Sequence, residues 1–212
     1  MNIEDPEIAA LREKFVHFRE ECIWLTNCYN LYKTLYEGGP ETDALLHRVA
    51  PALFLDLNRI VIDHILLQIC KITDPAQTGA QQNLTLANLN KHLQAINLYS
   101  SEIELVSDKL SAYREVIKPA RNKLISHLDW KTVRDGQSLA AHAAEEVSHF
   151  FAGLFRYTDL VGEACGIGPL DYRVSACAGD AIDLLRFLRQ ATPAPTPTAH
   201  RERSEEHTSE LQ

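Results

Sequence analysis

Residues 5–36 read DPEIAALREKFVHFREECIWLTNCYNLYKTLY. Apolar or aromatic residues recur in this stretch at alternating intervals of three and four: Ile8, Leu11, Phe15, Phe18, Cys22, Leu25, Tyr29, Tyr32 and Tyr36. This spacing predicts a long α-helix whose apolar stripe packs along another long helix. Asp5 is placed to cap the helix and Pro6 to open it, because the first helical residue needs no amide hydrogen. Gly38-Gly39-Pro40 is expected to end it.

The helical period continues through the next segment. Residues 41–73 are predicted to be helical, and Pro51 is expected either to bend this helix or to divide it in two. From Ile60 to Ile72 the chain is apolar nearly all round, which is typical of a central, buried helix. A polar loop follows, and Thr85 is predicted to cap a short helix that ends near Leu93.

A long helix carries the residues of greatest chemical interest. Ser101 and Glu104 have the spacing of a capping box at its start. The residues on its apolar seam share the three-four spacing: Ile103, Val106, Leu110, Tyr113, Ile117, Ala120, Leu124 and His127. Pro119 has no amide hydrogen to bond the carbonyl of Glu115, so a bend is expected just before Arg121.

Two further helices complete the predicted fold. One is capped by Ser138 and ended by Gly166, and the last spans residues 175–190. With no strand pattern and no repeat, the fold class is all-α, a bundle of long antiparallel helices formed by residues 1–191. Residues 192–202 are a Pro/Thr-rich tail predicted to be disordered. Residues 203–212 resemble the translation of a sequencing-library adapter and are left out of the fold prediction.

Composition and charge exclude several classes of function. No apolar run approaches the roughly 20 residues of a membrane span, and no signal peptide pattern precedes the first helix. We therefore predict a cytoplasmic protein without a membrane partner. The formal net charge of -8 disfavours binding nucleic acid through a general positive field. Residues 118–135 are an exception, because this segment contains five cationic and only two anionic residues.

Arg121 and His127 lie six positions apart within this basic segment. Arginine can bind two phosphate oxygens at once, and histidine exchanges protons near neutral pH. The two residue types therefore suit phosphate chemistry. In an ideal α-helix they would be about 120° apart around the axis and about 9 Å apart along it. The alternative interpretation of the spacing is a core histidine at a helix end beside a solvated arginine.

A family resemblance favours the first interpretation. Arg121-Asn122-Lys123 followed by His127 resembles the Arg-x(4 to 6)-His motif of the HEPN superfamily of all-α proteins, and residues 8–160 resemble its AbiU-like abortive-infection branch. The matching stretches include Gln68-Ile69-Cys70-Lys71-Ile72-Thr73-Asp74, Asn83-Leu84-Thr85-Leu86 and the run from Ile117 to Asp129.

The resemblance implies a homodimer that cuts RNA at a cleft shared by two copies of the motif, without a metal ion or other cofactor. His127 would be the general acid or base, Arg121 would neutralise phosphate charge, and Asn122 would assist them. Lys123 would contact the RNA backbone, and the neighbouring Lys118 and Lys131 are candidates for the same role. Ser126 and Asp129 are weaker candidates for orienting the site. A nucleotidyltransferase-like antitoxin is a further implied partner.

Two alternatives remain open at this stage. Many HEPN proteins are inactive, so a non-catalytic dimer that binds RNA, a nucleotide or a protein is the rival function. Glu146-x-x-His149 matches half of a di-iron motif, but the sequence holds no second Glu-x-x-His, so we predict no metal site.

Overall fold

The structure, a computed structural model, describes residues 5–122, 144–172 and 178–192. Within these ranges the chain forms seven helices and one short hairpin. The elements are α1 (Pro6–Tyr36), α2 (Pro40–Val49), α3 (Pro51–Thr73), β1 (Gln77–Thr78), β2 (Gln81–Gln82), α4 (Leu86–Ala95), α5 (Ser101–Ala120), α6 (Ala144–Ala164) and α7 (Ala181–Ala191). The predicted all-α class is confirmed, and the hairpin, two residues per strand, is too short to show a strand pattern in the sequence.

Four long helices, α1, α3, α5 and α6, form the bundle. Helix α1 packs against α3 and α6, and α5 packs against the same two helices. Helices α1 and α6 are antiparallel, since Phe18 and Tyr29 of α1 contact Tyr157 and Phe151 of α6 in reverse order. The apolar seam of α1 lies in the centre of the bundle, where Leu11, Phe15, Phe18, Cys22 and Leu25 are fully buried.

The ends of α1 follow from single residues. Asp5 Oδ1 accepts a hydrogen bond from the backbone N–H of Glu7, and Pro6 is the first helical residue, as predicted. Pro51 divides the following helical region instead of bending it, because Ala50 has non-helical backbone angles (φ -158°, ψ 72°). Thr85 caps α4 by accepting from the N–H of Asn88.

Helix α3 is less buried than the sequence indicated. The side chain of Ile60 is 62% exposed, and Leu53, Leu55 and Ile62 are exposed as well. The apolar run predicted burial on all sides, which is wrong because no described helix covers the outer face of α3. The inner face, which includes Val61, Ile65 and Ile69, packs in the core as expected.

Two helix starts differ from their predictions. Helix α5 is capped by Ser100, whose Oγ accepts from the N–H of Ile103, so the Ser101–Glu104 capping box is wrong by one residue. Two adjacent serines offer the same cap, and the first one takes it. Helix α7 begins at Ala181 instead of residue 175, since Gly179 adopts φ 84° and Asp180 caps the helix.

Several predictions fall outside the described residues. These are the Ser138 cap, the seam positions Leu124 and His127, and the tail beyond Thr192. Thr192 itself still closes α7, with its N–H bonded to the carbonyl of Leu188. No helix in the described ranges is both long and apolar enough to cross a membrane.

Candidate active site

The site begins where Pro119 interrupts the regular hydrogen bonding of α5. Arg121 and Asn122 follow the last α-helical residue, Ala120, in a wider π-helical turn. The N–H of Arg121 is shared between the carbonyls of Ile117 and Lys118. Such turns arise where the α-helical ladder is disturbed, and they are frequent at functional sites. The chain thus departs from ideal α-helical geometry at Arg121 and Asn122.

The Arg121 side chain is held on one side and open on the other. Its NH1 donates to Asn122 Oδ1 at 2.9 Å, and its NH2 lies 3.8 Å from Asp74 Oδ2. Its Nε is buried and has no hydrogen-bond partner among the described residues. The side chain as a whole is 31% exposed. The guanidinium is thus located by its neighbours, and the N–H groups of NH1 and NH2 that make no hydrogen bond remain for an incoming anion.

Asp74 ends α3 and joins it to α5. Its Oδ1 accepts from Nε and NH2 of Arg114 at 3.2 and 2.7 Å. Burial is the largest single effect and lowers the pKa of Arg114, but the hydrogen bonds and negative charges of Asp74 and Glu115 together outweigh it, and the net pKa is raised. Arg114 is therefore a fixed cation two helical turns before Arg121 on the same face of α5.

Glu115 and Lys118 complete the charge pattern. Arg114 NH1 donates to Glu115 Oε1 at 2.6 Å, and Lys118 Nζ donates to Glu115 Oε2 at 3.0 Å. The hydrogen bond from Lys118 lowers the pKa of Glu115, so this carboxyl is ionised at neutral pH. We call Asp74, Arg114, Glu115, Lys118 and Arg121 the Arg121 cluster. Three cations and two carboxylates give it one net positive charge.

A comparison with protein families identifies the domain. The model of the AbiU2 HEPN family matches residues 8–173, which include all of α1 but its first two residues, α2 to α6, and the whole Arg121 cluster. The chain belongs to the AbiU2 HEPN family. No curated protein and no solved structure matches it.

Only part of the predicted site lies within the residues that the structure describes. Lys118 lies in the last turn of α5, and Arg121 and Asn122, which follow the helix, are hydrogen-bonded to each other. His127, Lys123 and Lys131 lie outside the described residues, as do the weaker candidates Ser126 and Asp129. The pairing of Arg121 with His127 therefore stays a prediction.

Sequence reasoning missed Asp74 and Arg114 as site residues. Arg114 precedes Arg121 by seven positions, a spacing that puts both on one helix face, and this was the available signal. Asp74 had no comparable signal, because its contact with Arg114 spans 40 residues and depends on the packing of α3 against α5.

A buried thiol lies close to the cluster. Cys70, one turn before Asp74, is buried in the HEPN core. Burial raises the pKa of this thiol, and the positive charge of Arg121 only partly offsets that effect. Cys70 is therefore protonated at neutral pH and unsuited to act as a nucleophile.

The other constellations do not form sites in the described part of the domain. No group of three His, Cys, Asp or Glu residues is placed to hold a metal ion there. Glu146 and His149 instead line a groove between α5 and α6 of about 630 Å³. His64 accepts a hydrogen bond from Trp24 Nε1 at 3.0 Å, at the surface between α1 and α3.

Proposed function

We propose that this HEPN domain is a metal-independent endoribonuclease of the defence or toxin type. Its membership of the AbiU2 HEPN family supports this function. The observation that carries the proposal is the Arg121 guanidinium, which keeps hydrogen-bonding capacity although a carboxylate lies 3.8 Å away. A partly buried arginine in this state is suited to bind a phosphate with two of its N–H groups.

The proposed reaction is a transfer of the phosphoryl group within the RNA. The ribose 2′-oxygen attacks the adjacent phosphorus, the bond to the 5′-oxygen of the next nucleotide breaks, and a 2′,3′-cyclic phosphate forms. His127 exchanges protons with the 2′-hydroxyl or with the leaving oxygen, while Arg121 stabilises charge on the phosphate oxygens. No metal ion takes part.

The neighbouring polar residues have supporting roles in this proposal. Asn122 orients Arg121 through its 2.9 Å hydrogen bond from NH1. Lys118 is half-buried and, with Lys123 and Lys131, is proposed to contact the RNA backbone. Because each such lysine displaces a counterion from the RNA, binding is expected to weaken as salt rises.

The proposal predicts cleavage of single-stranded RNA in the presence of EDTA. DNA of the same sequence should stay intact, because a deoxyribose has no 2′-hydroxyl to act as nucleophile. Gel analysis of end-labelled RNA and DNA incubated side by side checks both statements. Cleavage that stops when EDTA is added would contradict the metal-independent reaction.

The second candidate is a non-catalytic HEPN dimer that binds RNA, a nucleotide or a protein. It is favoured by the net positive charge of the Arg121 cluster, which would attract an anion with or without a reacting histidine. RNA binding without cleavage would select this function. In either case, a nucleotidyltransferase-like antitoxin is proposed as a cellular partner.

A homodimer is also part of the proposal, and the outer face of α3 is the surface proposed to form it. Leu53, Leu57, Ile60, His64 and Leu67 follow one another at intervals of four and three. Leu53 and Ile60 are exposed, and the other three are half-buried. This is the spacing with which a helix packs against an antiparallel copy of itself. We call these five residues the α3 stripe.

We expect light scattering to give twice the mass of one chain at micromolar concentration. Ile60→Asp places a charge in the middle of the α3 stripe and should convert the dimer to a monomer, because a buried unpaired carboxylate is costly. Leu105→Asp is the matched control, since Leu105 on α5 is 57% exposed, comparable to Ile60. A dimer that survives Ile60→Asp would place the interface elsewhere, and a monomeric wild type would remove the shared cleft.

A further inference from the structure

Asp74 lies between Arg114 of α5 and Arg121, which directly follows α5, and its contacts with the two arginines differ. Its Oδ1 is bonded twice by Arg114, at 3.2 Å from Nε and 2.7 Å from NH2. Its Oδ2 lies 3.8 Å from NH2 of Arg121, which is beyond hydrogen-bond distance. Asp74 is therefore bonded to Arg114 and coupled to Arg121 by charge alone.

The three side chains are sheltered enough for this arrangement to matter. Arg114 is 14% exposed and Asp74 is 23% exposed. Charges in such partly buried positions are screened less by water and salt than charges on the open surface. If Arg114 were absent, the same carboxylate would be free to pair with Arg121 directly.

We propose that Asp74 and Arg114 are positioning residues for a phosphodiester site at Arg121. Arg114 holds Asp74 so that the carboxylate does not neutralise Arg121, and Asp74 holds the Arg121 guanidinium in line with the incoming phosphate. The inference rests on the proposed function, in which Arg121 contacts the RNA phosphate. It adds that Arg114 determines how far the Arg121 guanidinium is available to bind a phosphate.

Removing the carboxylate is expected to improve binding and impair turnover. Asp74→Asn raises the net charge beside Arg121 by one, so affinity for a non-cleavable 2′-O-methyl RNA oligonucleotide should rise about 3- to 10-fold at low salt. The Arg121 guanidinium loses its charged neighbour and is less well oriented. The kcat for RNA cleavage should therefore fall about 10-fold, while KM also falls.

Removing Arg114 is expected to weaken RNA binding, which is the opposite of the effect expected for Asp74→Asn. In Arg114→Gln, Asp74 is released and pairs with Arg121, so the phosphate has to displace a carboxylate. Affinity for the same oligonucleotide should fall about 3- to 10-fold and KM should rise. Arg114→Lys should recover part of the loss, because an ammonium group still holds Asp74 through one hydrogen bond.

The double variant Asp74→Asn/Arg114→Gln distinguishes a positioning role of Arg114 from direct contact between Arg114 and the phosphate. If Arg114 acts only by restraining Asp74, then Arg114→Gln should cost little affinity once Asp74→Asn has removed the carboxylate. If Arg114 itself binds phosphate, the loss should be the same in both backgrounds, and the positioning role is overturned.

The chain supplies matched controls in the ion pair of Glu102 and Arg156. Glu102 lies near the start of α5, 19 residues before Arg121, and its partner Arg156 lies on α6. Glu102→Gln and Arg156→Gln change the net charge by the same amounts as the two test variants. They should shift oligonucleotide affinity by less than about twofold, since their distance from Arg121, about 28 Å along an ideal helix, exceeds the Debye length.

The two readouts distinguish failure of the inference from failure of the proposed function. Opposite affinity shifts without any RNA cleavage would support the phosphate site and reject the nuclease. Cleavage that depends on His127, with both variants shifting affinity in the same direction or matching the controls, would keep the nuclease and overturn the inference. Failure of the wild-type protein to bind the oligonucleotide would overturn the inference as well.

Discussion

The variant His127→Ala is expected to cut RNA about 10²- to 10⁴-fold more slowly than the wild-type protein, with RNA affinity almost unchanged. The proposed role of His127 is to move a proton at the reacting oxygens, an interaction that is made in the transition state and adds little to ground-state binding. Removing it therefore lowers kcat without raising KM. Single-turnover cleavage and oligonucleotide binding, measured on the same preparations, check both parts of the expectation.

A second histidine provides the control for this variant. His17 is exposed on α1 and interacts only weakly with Glu20 across one helical turn. His17→Ala should cleave RNA at the wild-type rate. Undiminished cleavage by His127→Ala would indicate either another site or a contaminating nuclease, and the non-catalytic HEPN dimer would become the better account of the protein.

The second large effect is expected at Arg121. Arg121→Ala removes the cation that stabilises the phosphate, and cleavage should slow about 10²- to 10³-fold. Arg121→Lys keeps the charge but cannot bind two phosphate oxygens with a planar fork. We expect this variant to bind RNA nearly as well as the wild type and still cleave at least about 10-fold more slowly.

The Arg121 variants need a check on folding, because this side chain is partly buried beside α3. Melting temperatures should be compared with that of Arg186→Ala, which removes an exposed arginine paired with Asp183 on α7. Full activity in Arg121→Lys would show that charge alone suffices, and the two-pronged contact with phosphate would be wrong.

The sequence predicted those parts of the fold that depend on nearby residues. Asp5, Pro6 and Thr85 set helix starts through contacts within three positions, so the local sequence is enough to predict them. The same holds for the break at Pro51, where proline removes one backbone donor. The choice of Ser100 over Ser101 was missed because the two neighbouring serines offer the same chemistry.

The sequence could not predict features that depend on how helices are arranged. Ile60 lies in an apolar run, but its exposure is decided by the absence of a described neighbour on that side of α3. The contact of Asp74 with Arg114 joins residues far apart in the chain, and it holds the carboxylate 3.8 Å from the Arg121 guanidinium. The motif thus predicted Arg121, while the packing of α3 on α5 places Asp74 and Arg114 beside it.

The most direct test of the proposed reaction is the chemistry of the RNA ends it leaves. Wild-type protein in EDTA should yield 5′ fragments that carry a 2′,3′-cyclic phosphate, which mass spectrometry identifies by the loss of one water relative to a linear phosphate. The matching 3′ fragments should begin with a free 5′-hydroxyl. Fragments with 3′-hydroxyl and 5′-phosphate ends would contradict attack by the 2′-oxygen, and with it the roles assigned to His127 and Arg121.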